Sequence, residues 1–138
     1  SPRTAPEDFL VSVEMDAFDT ARENFADGFR IAEKLMPPEG SARAIRMFGS
    51  SSLNFAALGR GSLDIITGSR KPWDYLPGIP IIRGAGGEMF FYKDSLGNAR
   101  ICAAANKKAL RYAKERHVAA GMTLTEKPGY VVNIAPSV

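Results

Sequence analysis

Arg46 to Gly87 reads RMFGSSSLNFAALGRGSLDIITGSRKPWDYLPGIPIIRGAGG, and its apolar runs and breaks decide the fold class. Ala42–Met47 predicts a strand that delivers the turn Gly49–Ser52. The serines of that turn can cap a helix over Leu53–Leu58, which Gly59-Arg60-Gly61 closes. Leu63-Asp64-Ile65-Ile66 is a short apolar run bounded by glycines, so Ser62–Thr67 reads as a buried strand. Gly68 to Pro72 is loop chemistry. Asp74 falls where a second helix would begin, and that helix runs on through Ile79–Arg83 until Gly86-Gly87 stops it. Strands alternating with helices predict a layered α/β domain.

Two features of this stretch carry chemistry. A carboxylate between a strand's C-terminal end and a helix start lies at the usual ligand crevice of an open α/β sheet. Asp74 stands there as a hard oxygen donor suited to magnesium, and as a helix cap in the plainer reading; one residue can do both. The turn Gly49, Ser50, Ser51 either caps its helix or leaves N–H groups facing an anion or hydroxyl. Arg70 and Lys71, just before Asp74, either offset phosphate charge or are solvated loop cations. Arg46 is expected to anchor the turn through a buried ion pair, with Asp64 as a partner.

The flanks fit the same class. Ser1–Glu7 holds two prolines and reads as a linker or disordered lead-in; residues 8–138 form the domain. Phe9–Met15 alternates apolar and polar residues, a strand half buried on one face. Ala17–Met36 carries a helical stripe of Phe18, Ala21, Phe25, Phe29, Ala32 and Leu35, with Asp27 and Arg30 outside it, and Pro37-Pro38 ends it. Glu88–Tyr92 and Ala99–Ala104 are strands joined by a turn at Lys93–Asn98. Asn106 caps a basic helix over Lys107–Val118. His117, near the end of that helix, reads as a surface residue that compensates the helix dipole. Leu124–Ile134 adds an extended segment.

Arg46-x-x-Gly49-Ser50, Gly61-x-x-Asp64, Trp73-Asp74-x-x-x-Gly78 and Ala85-Gly86-Gly87, in that order and spacing, resemble the C-terminal half of the inositol monophosphatase family. The resemblance covers about Phe9 to Ala113. It implies the C-terminal α/β subdomain of the sugar-phosphatase fold, a mainly parallel sheet flanked by helices. It also implies a magnesium-dependent phosphomonoesterase, with Asp74 as a metal ligand, and Gly49, Ser50, Ser51 and Lys71 near a phosphorylated small-molecule substrate. The sequence departs from the family at several points. Leu76-Pro77 replaces small residues, Pro80 distorts the second helix or delays its start, and Gly84 stands where Glu is common. The loop between Asp64 and Asp74 lacks the carboxylate that inositol-selective members carry. The family's other metal ligands, in an N-terminal Gly-Glu-Glu-like motif and an Asp-Pro-x-Asp-Gly-Thr motif, do not occur here. The chain is therefore expected to be a piece of an enzyme, inactive alone and completed by an N-terminal half. The alternative is a non-catalytic interaction module that keeps the fold without the catalytic metal half.

Composition narrows the remaining classes. The 138 residues carry a net charge of +3, with both signs mixed along the chain. That balance suits an anionic ligand, while nucleic-acid binding would rest on the pI of about 9.2 alone and is not expected. The single cysteine, Cys102, lies in an apolar run and reads as a buried, inert thiol. No apolar run reaches membrane-spanning length and no signal peptide is evident, so we expect a cytoplasmic protein, with a homodimer allowed. The chain starts at Ser1 without methionine, which suits a piece of a longer protein.

Overall fold

A computed structural model of the chain describes residues 3–14, 22–47, 51–69 and 75–125. Strands β1 (Leu10–Val13), β2 (Ala44–Arg46), β3 (Ile65–Ser69), β4 (Glu88–Lys93), β5 (Ala99–Ala104) and β6 (Thr123–Thr125) form one 6-stranded sheet, ordered β2-β1-β3-β5-β4-β6. Helices α1 (Arg22–Leu35), α2 (Ser51–Gly59), α3 (Ile79–Gly84) and α4 (Lys107–Ala119) flank it. The sheet is mixed. β2, β1 and β3 run parallel, as crossover helices α1 and α2 require. β5 and β6 run antiparallel to their neighbours, because the turn between β4 and β5 is too short for a crossover.

Both faces of the sheet are covered, as the α/β reading expects. Val11, Val13, Ile65, Tyr92, Cys102 and Ala104 point to one side, where Ile31 and Leu35 of α1 and Ala109 and Ala113 of α4 close a core. Alternate residues Ile66, Ile101 and Ala103 meet Phe55 and Leu58 of α2 and Ile82 of α3. Two burial expectations change. β1 is covered on both faces, since Ser12 is fully buried beneath α2. In α1, Asp27 is buried and Phe29 is 61% exposed. Its inward face is set by Ile31 and Leu35, and Asp27 can join it because the β4–β5 turn satisfies its carboxylate.

Local chemistry explains the second half of the quoted stretch. Tyr75 is α-helical, Leu76–Gly78 is a 3-10 turn and α3 follows from Ile79, so the helical segment changes its bonding pattern just before Pro80. Pro77 and Pro80 each occupy a first-turn position, where a missing N–H costs nothing. The cap expected from Asp74 lies outside the described residues. Gly86 (φ +81°) ends α3: its N–H donates to Arg83 O at 3.0 Å, and that of Gly87 to Ile82 O at 2.8 Å, the paired bonds of a Schellman stop. At Gly78 a Cβ would sit 2.5 Å from the Phe55 ring, so glycine lets α3 press onto α2. β6 falls at the start of the expected extended segment, whose residues 126–134 lie outside the described residues.

Candidate functional site

Parallel strands β1 and β3 end side by side, and α2 begins beside them. The Glu14 N–H donates to Thr67 O at 2.8 Å, which carries the pairing one residue past β1. Beyond it the register of β3 shifts at Gly68. Gly68 has φ +114°, and a Cβ there would meet Glu14 O at 2.6 Å, so this bulge needs glycine twice over. The bulge turns Ser69 toward Glu14. Ser69 Oγ donates to Glu14 Oε2 at 3.0 Å, and Asn54 Nδ2 donates to Oε1 at 3.0 Å. Ser12 Oγ donates to Asn54 Oδ1 at 2.9 Å. Ser12, Asn54 and Ser69 are buried and Glu14 half-buried. The carboxylate is thus oriented by side chains from β3 and α2, at the carboxyl ends of two parallel strands.

The bulge is braced from behind. Arg100 of β5 donates through Nη1 to Gly68 O at 2.8 Å and through Nε to Asp94 Oδ2 at 2.8 Å. Asp94 Oδ1 also accepts from the N–H groups of Leu96 and Asn98, which shapes the β4–β5 turn. Asp27 of α1 holds the same turn, accepting from Ser95 N at 2.8 Å and from Ser95 Oγ and Arg30. Burial pushes the Asp27 carboxyl up, but the Ser95 hydroxyl and amide and the Arg30 guanidinium outweigh it and hold it below its ordinary range.

Of the residues singled out in the sequence, Ser51 opens α2, while Gly49, Ser50, Lys71 and Asp74 lie outside the described residues. In the sequence, Lys71 and Asp74 follow Ser69, and Gly49-Ser50 precedes Ser51. Asp64 and Arg46 are not brought together. Asp64, fully buried, sits just before β3 and accepts from Arg3 Nε and from the Leu10 N–H, both at 2.8 Å. Arg46 is exposed, with Nη1 3.3 Å from Ile45 O. β2 and β3 are both parallel to β1, so Arg46 at the C-terminal end of β2 and Asp64 before the N-terminal end of β3 lie at opposite ends of the strands. Arg3 also donates through Nη2 to Gly61 O at 2.6 Å, and Asn106 Nδ2 donates to Arg3 O at 2.9 Å. Residues 3–7 of the lead-in are fastened to the domain by these bonds.

His117 is not at the surface. It is fully buried between Phe90 and Tyr92. Nδ1 is 2.6 Å from Ala113 O, a pure acceptor, so Nδ1 carries the proton. Nε2 then accepts from Thr67 Oγ1 at 2.7 Å, and Thr67 in turn accepts from Tyr92 Oη at 2.9 Å. Burial pushes the imidazole down to about 4, against the contribution of the Ala113 carbonyl. Cys102 is buried as expected, and burial pushes its thiol up.

Among the described residues no three His, Cys, Asp or Glu side chains stand close enough to share a metal ion, and none of their helices is long and apolar enough to cross a membrane. The residue missed by the sequence reading is Glu14. The rule that singled out Asp74, a carboxylate at the carboxyl end of a strand, applies equally to Glu14 once Phe9–Met15 is read as a strand.

A family model for the inositol monophosphatase family matches residues 11–122. The fructose-1,6-bisphosphatase/inositol-1-monophosphatase of Thermotoga maritima is 37% identical over 62 residues, 44% of this chain and 24% of that protein. Among solved structures, Mycobacterium tuberculosis SuhB aligns at TM-score 0.64 and 22% identity, covering 85% of this chain and 45% of its own. A Thermotoga maritima IMPase aligns at 0.61 and 21%, covering 88% and 46%. At such identity the structural likeness speaks for the fold. The chain spans about half the length of these solved structures.

Proposed function

Since the chain belongs to the inositol monophosphatase family, we propose that it is the C-terminal part of a magnesium-dependent phosphomonoesterase acting on a sugar or polyol phosphate. The observation that carries this reading is the family match over residues 11–122, which encloses Asp64, Trp73-Asp74 and Ala85-Gly86-Gly87 in family order. Asp74 is the metal ligand contributed by this chain, and an N-terminal half contributes the others. Carboxylate and water oxygens suit magnesium, which when bound supplies Lewis-acid stabilisation of charge on the phosphate. The chain's own residues bind and orient. In this reading Gly49, Ser50 and Ser51 bind the substrate, and Lys71 offsets the charge of its phosphate. Glu14, oriented by Asn54 and Ser69, stands at the same end of the sheet and accepts a substrate hydroxyl.

The test uses the longer protein that this chain completes. Phosphate release with magnesium is measured for the parent and for Asp74→Asn. An amide still caps a helix but is a poorer donor to a hard cation, so turnover should fall by orders of magnitude while the fold survives. Near-normal turnover and magnesium dependence in Asp74→Asn would leave Asp74 as a cap only. The second reading is a non-catalytic module that keeps the fold. Absence of magnesium-dependent turnover in the parent itself would select it.

A further inference from the structure

The register of β3 against β5 shows what the bulge does to Ser69. Thr67 pairs with Cys102, and Ser69, not Gly68, pairs with Ile101. Residues opposite one another share a face of the sheet. Ser69 therefore stands with Ile101 on the α2 side, where Asn54 and Glu14 meet it. In an unbroken register Ser69 would pair with Arg100 and share the α1 and α4 side with Cys102, since a one-residue slip exchanges the two faces. Gly68 is the surplus residue. Its carbonyl accepts from Arg100 Nη1 at 2.8 Å, which holds the surplus in place. Arg100 itself lies on the α1 and α4 side, opposite Tyr92. Its side chain is 11% exposed, and its Nε donates to the fully buried Asp94 carboxylate at 2.8 Å.

We infer that Arg100 is a positioning residue for substrate recognition: from the far face of the sheet it fixes the bulge that points Ser69 at Glu14, and so sets the carboxylate that takes a polyol hydroxyl. This rests on the phosphomonoesterase reading above. The guanidinium suits the task because one planar group carries several donors in fixed directions. Nε anchors it on Asp94 while Nη1 reaches Gly68 O. Lysine has the charge without the fork. In Arg100→Lys the ammonium stays beside the Asp94 carboxylate, so that buried charge keeps a partner, and the Gly68 carbonyl loses its donor. Ser69 is then free to slip toward the other face, and Glu14 keeps Asn54 but loses the Ser69 hydroxyl. A displacement of about 1 Å in a group that orients substrate can cost on the order of 100-fold.

Specificity constants of the longer protein test this on two compounds, myo-inositol 1-phosphate and p-nitrophenyl phosphate, which has no alcohol hydroxyl. Arg100→Lys should lower the ratio of the first to the second by at least about fivefold, and Glu14→Gln should lower it too. The double variant should fall no further than the larger single change, because residues acting on one contact do not add. An unchanged ratio, an equal loss on both compounds, or additive losses would overturn the inference. Amide exchange on this chain gives a readout without turnover. The Glu14 N–H donates to Thr67 O beside the bulge, and the Leu10 N–H donates to Asp64 at the other end of β1. Arg100→Lys should speed exchange at Glu14 by about tenfold or more and leave Leu10 unchanged, as local opening requires. An unchanged rate at Glu14, or equal acceleration at both ends, would overturn it. Should the longer protein not hydrolyse myo-inositol 1-phosphate, the failure falls on the polyol-phosphate reading, and the exchange comparison alone decides whether Arg100 holds the bulge.

Discussion

Lowering the pH below 6.5 should destabilise this domain through His117 before its carboxylates begin to be protonated. The imidazole is sealed between Phe90 and Tyr92, its Nδ1 proton is committed to Ala113 O, and its Nε2 is occupied by Thr67. Burial disfavours the charged form, so the folded imidazole is pushed down to about 4 against an ordinary 6.5. Above 6.5 neither state binds the proton and stability is unaffected. Between 6.5 and about 4 the unfolded chain takes the proton and the folded one does not, so stability falls as pH falls. Each pH unit inside that window is worth about 1.4 kcal/mol, and the whole window about 3 kcal/mol. Against the roughly 5–15 kcal/mol of a typical domain that is a large fraction. Asp27, whose carboxyl is held low, contributes stability that is lost only at pH below the ordinary carboxylate range. Urea unfolding at pH 7.5, 6.5, 5.5 and 4.5 should therefore show midpoints dropping steadily below 6.5. His117→Gln should be less stable at pH 7.5 by about 1–3 kcal/mol, from lost packing and buried hydrogen bonds, and its midpoint should be nearly flat across the same range. A flat wild-type profile, an equal slope in His117→Gln, or an imidazole that titrates near 6.5 by NMR would refute the buried neutral histidine.

Three further outcomes follow from the geometry. Arg3→Ala leaves the fully buried Asp64 carboxylate with its Leu10 N–H bond but without the guanidinium. Because Arg3 is itself 30% exposed, the expected loss is about 1–3 kcal/mol by urea denaturation, and an unchanged midpoint would show the latch to be idle. Gly78→Ala drives a Cβ to 2.5 Å from the Phe55 ring; overpacking of this kind costs about 1–3 kcal/mol, and Phe55→Leu in the same chain should recover part of it. On the proposed phosphomonoesterase reading, Arg70 and Lys71 should favour a phosphate ester with a second anionic group over myo-inositol 1-phosphate in the longer protein. The acidic residue missing from the loop bears on a hydroxyl contact worth about 1–3 kcal/mol, roughly 5- to 150-fold in preference. Specificity constants on both substrates, repeated for Glu14→Gln, decide this: a clear preference for myo-inositol 1-phosphate that vanishes in the variant would assign the acceptor to Glu14.

What the sequence made legible was local. β5 runs from Ala99 to Ala104 as read, because a polar turn and an apolar run bounded it on both sides. Asn106 caps α4 by accepting from the Ala109 N–H, and Gly86-Gly87 ends α3, since caps and stops are written within a few residues of the bonds they make. What escaped was pairing across the chain. His117 shares a helical stripe with Ala113, yet a polar residue on that stripe reads as surface until Thr67 and Tyr92, distant in sequence, supply its partners. Asp64 faced the same problem: the sequence offered Arg46 as its partner, the strand directions rule that out, and Arg3, 61 residues away in sequence, takes the place. Asp27 and Phe29 exchanged roles because an apolar stripe fixes a helix face only to within a residue, and one satisfied carboxylate is enough to turn it. Glu14 needed the bulge at Gly68, a backbone event that a lone glycine in a strand hints at without locating its consequence.

The turn between β4 and β5 carries an implication for anyone wishing to label or extend this protein. Hairpin tips with a Ser-Leu-Gly-Asn composition are ordinarily where a tag or a fluorescent insertion is tolerated. Here the tip is a junction. Asp94 gathers two turn amides and Arg100, Arg100 reaches the Gly68 carbonyl, and Asp27 ties Ser95 to α1. A residue inserted between Asp94 and Asn98 would break the grip on Arg100 and release the bulge that aims Ser69 at Glu14. A surface position that invites modification is mechanically wired to the strand ends.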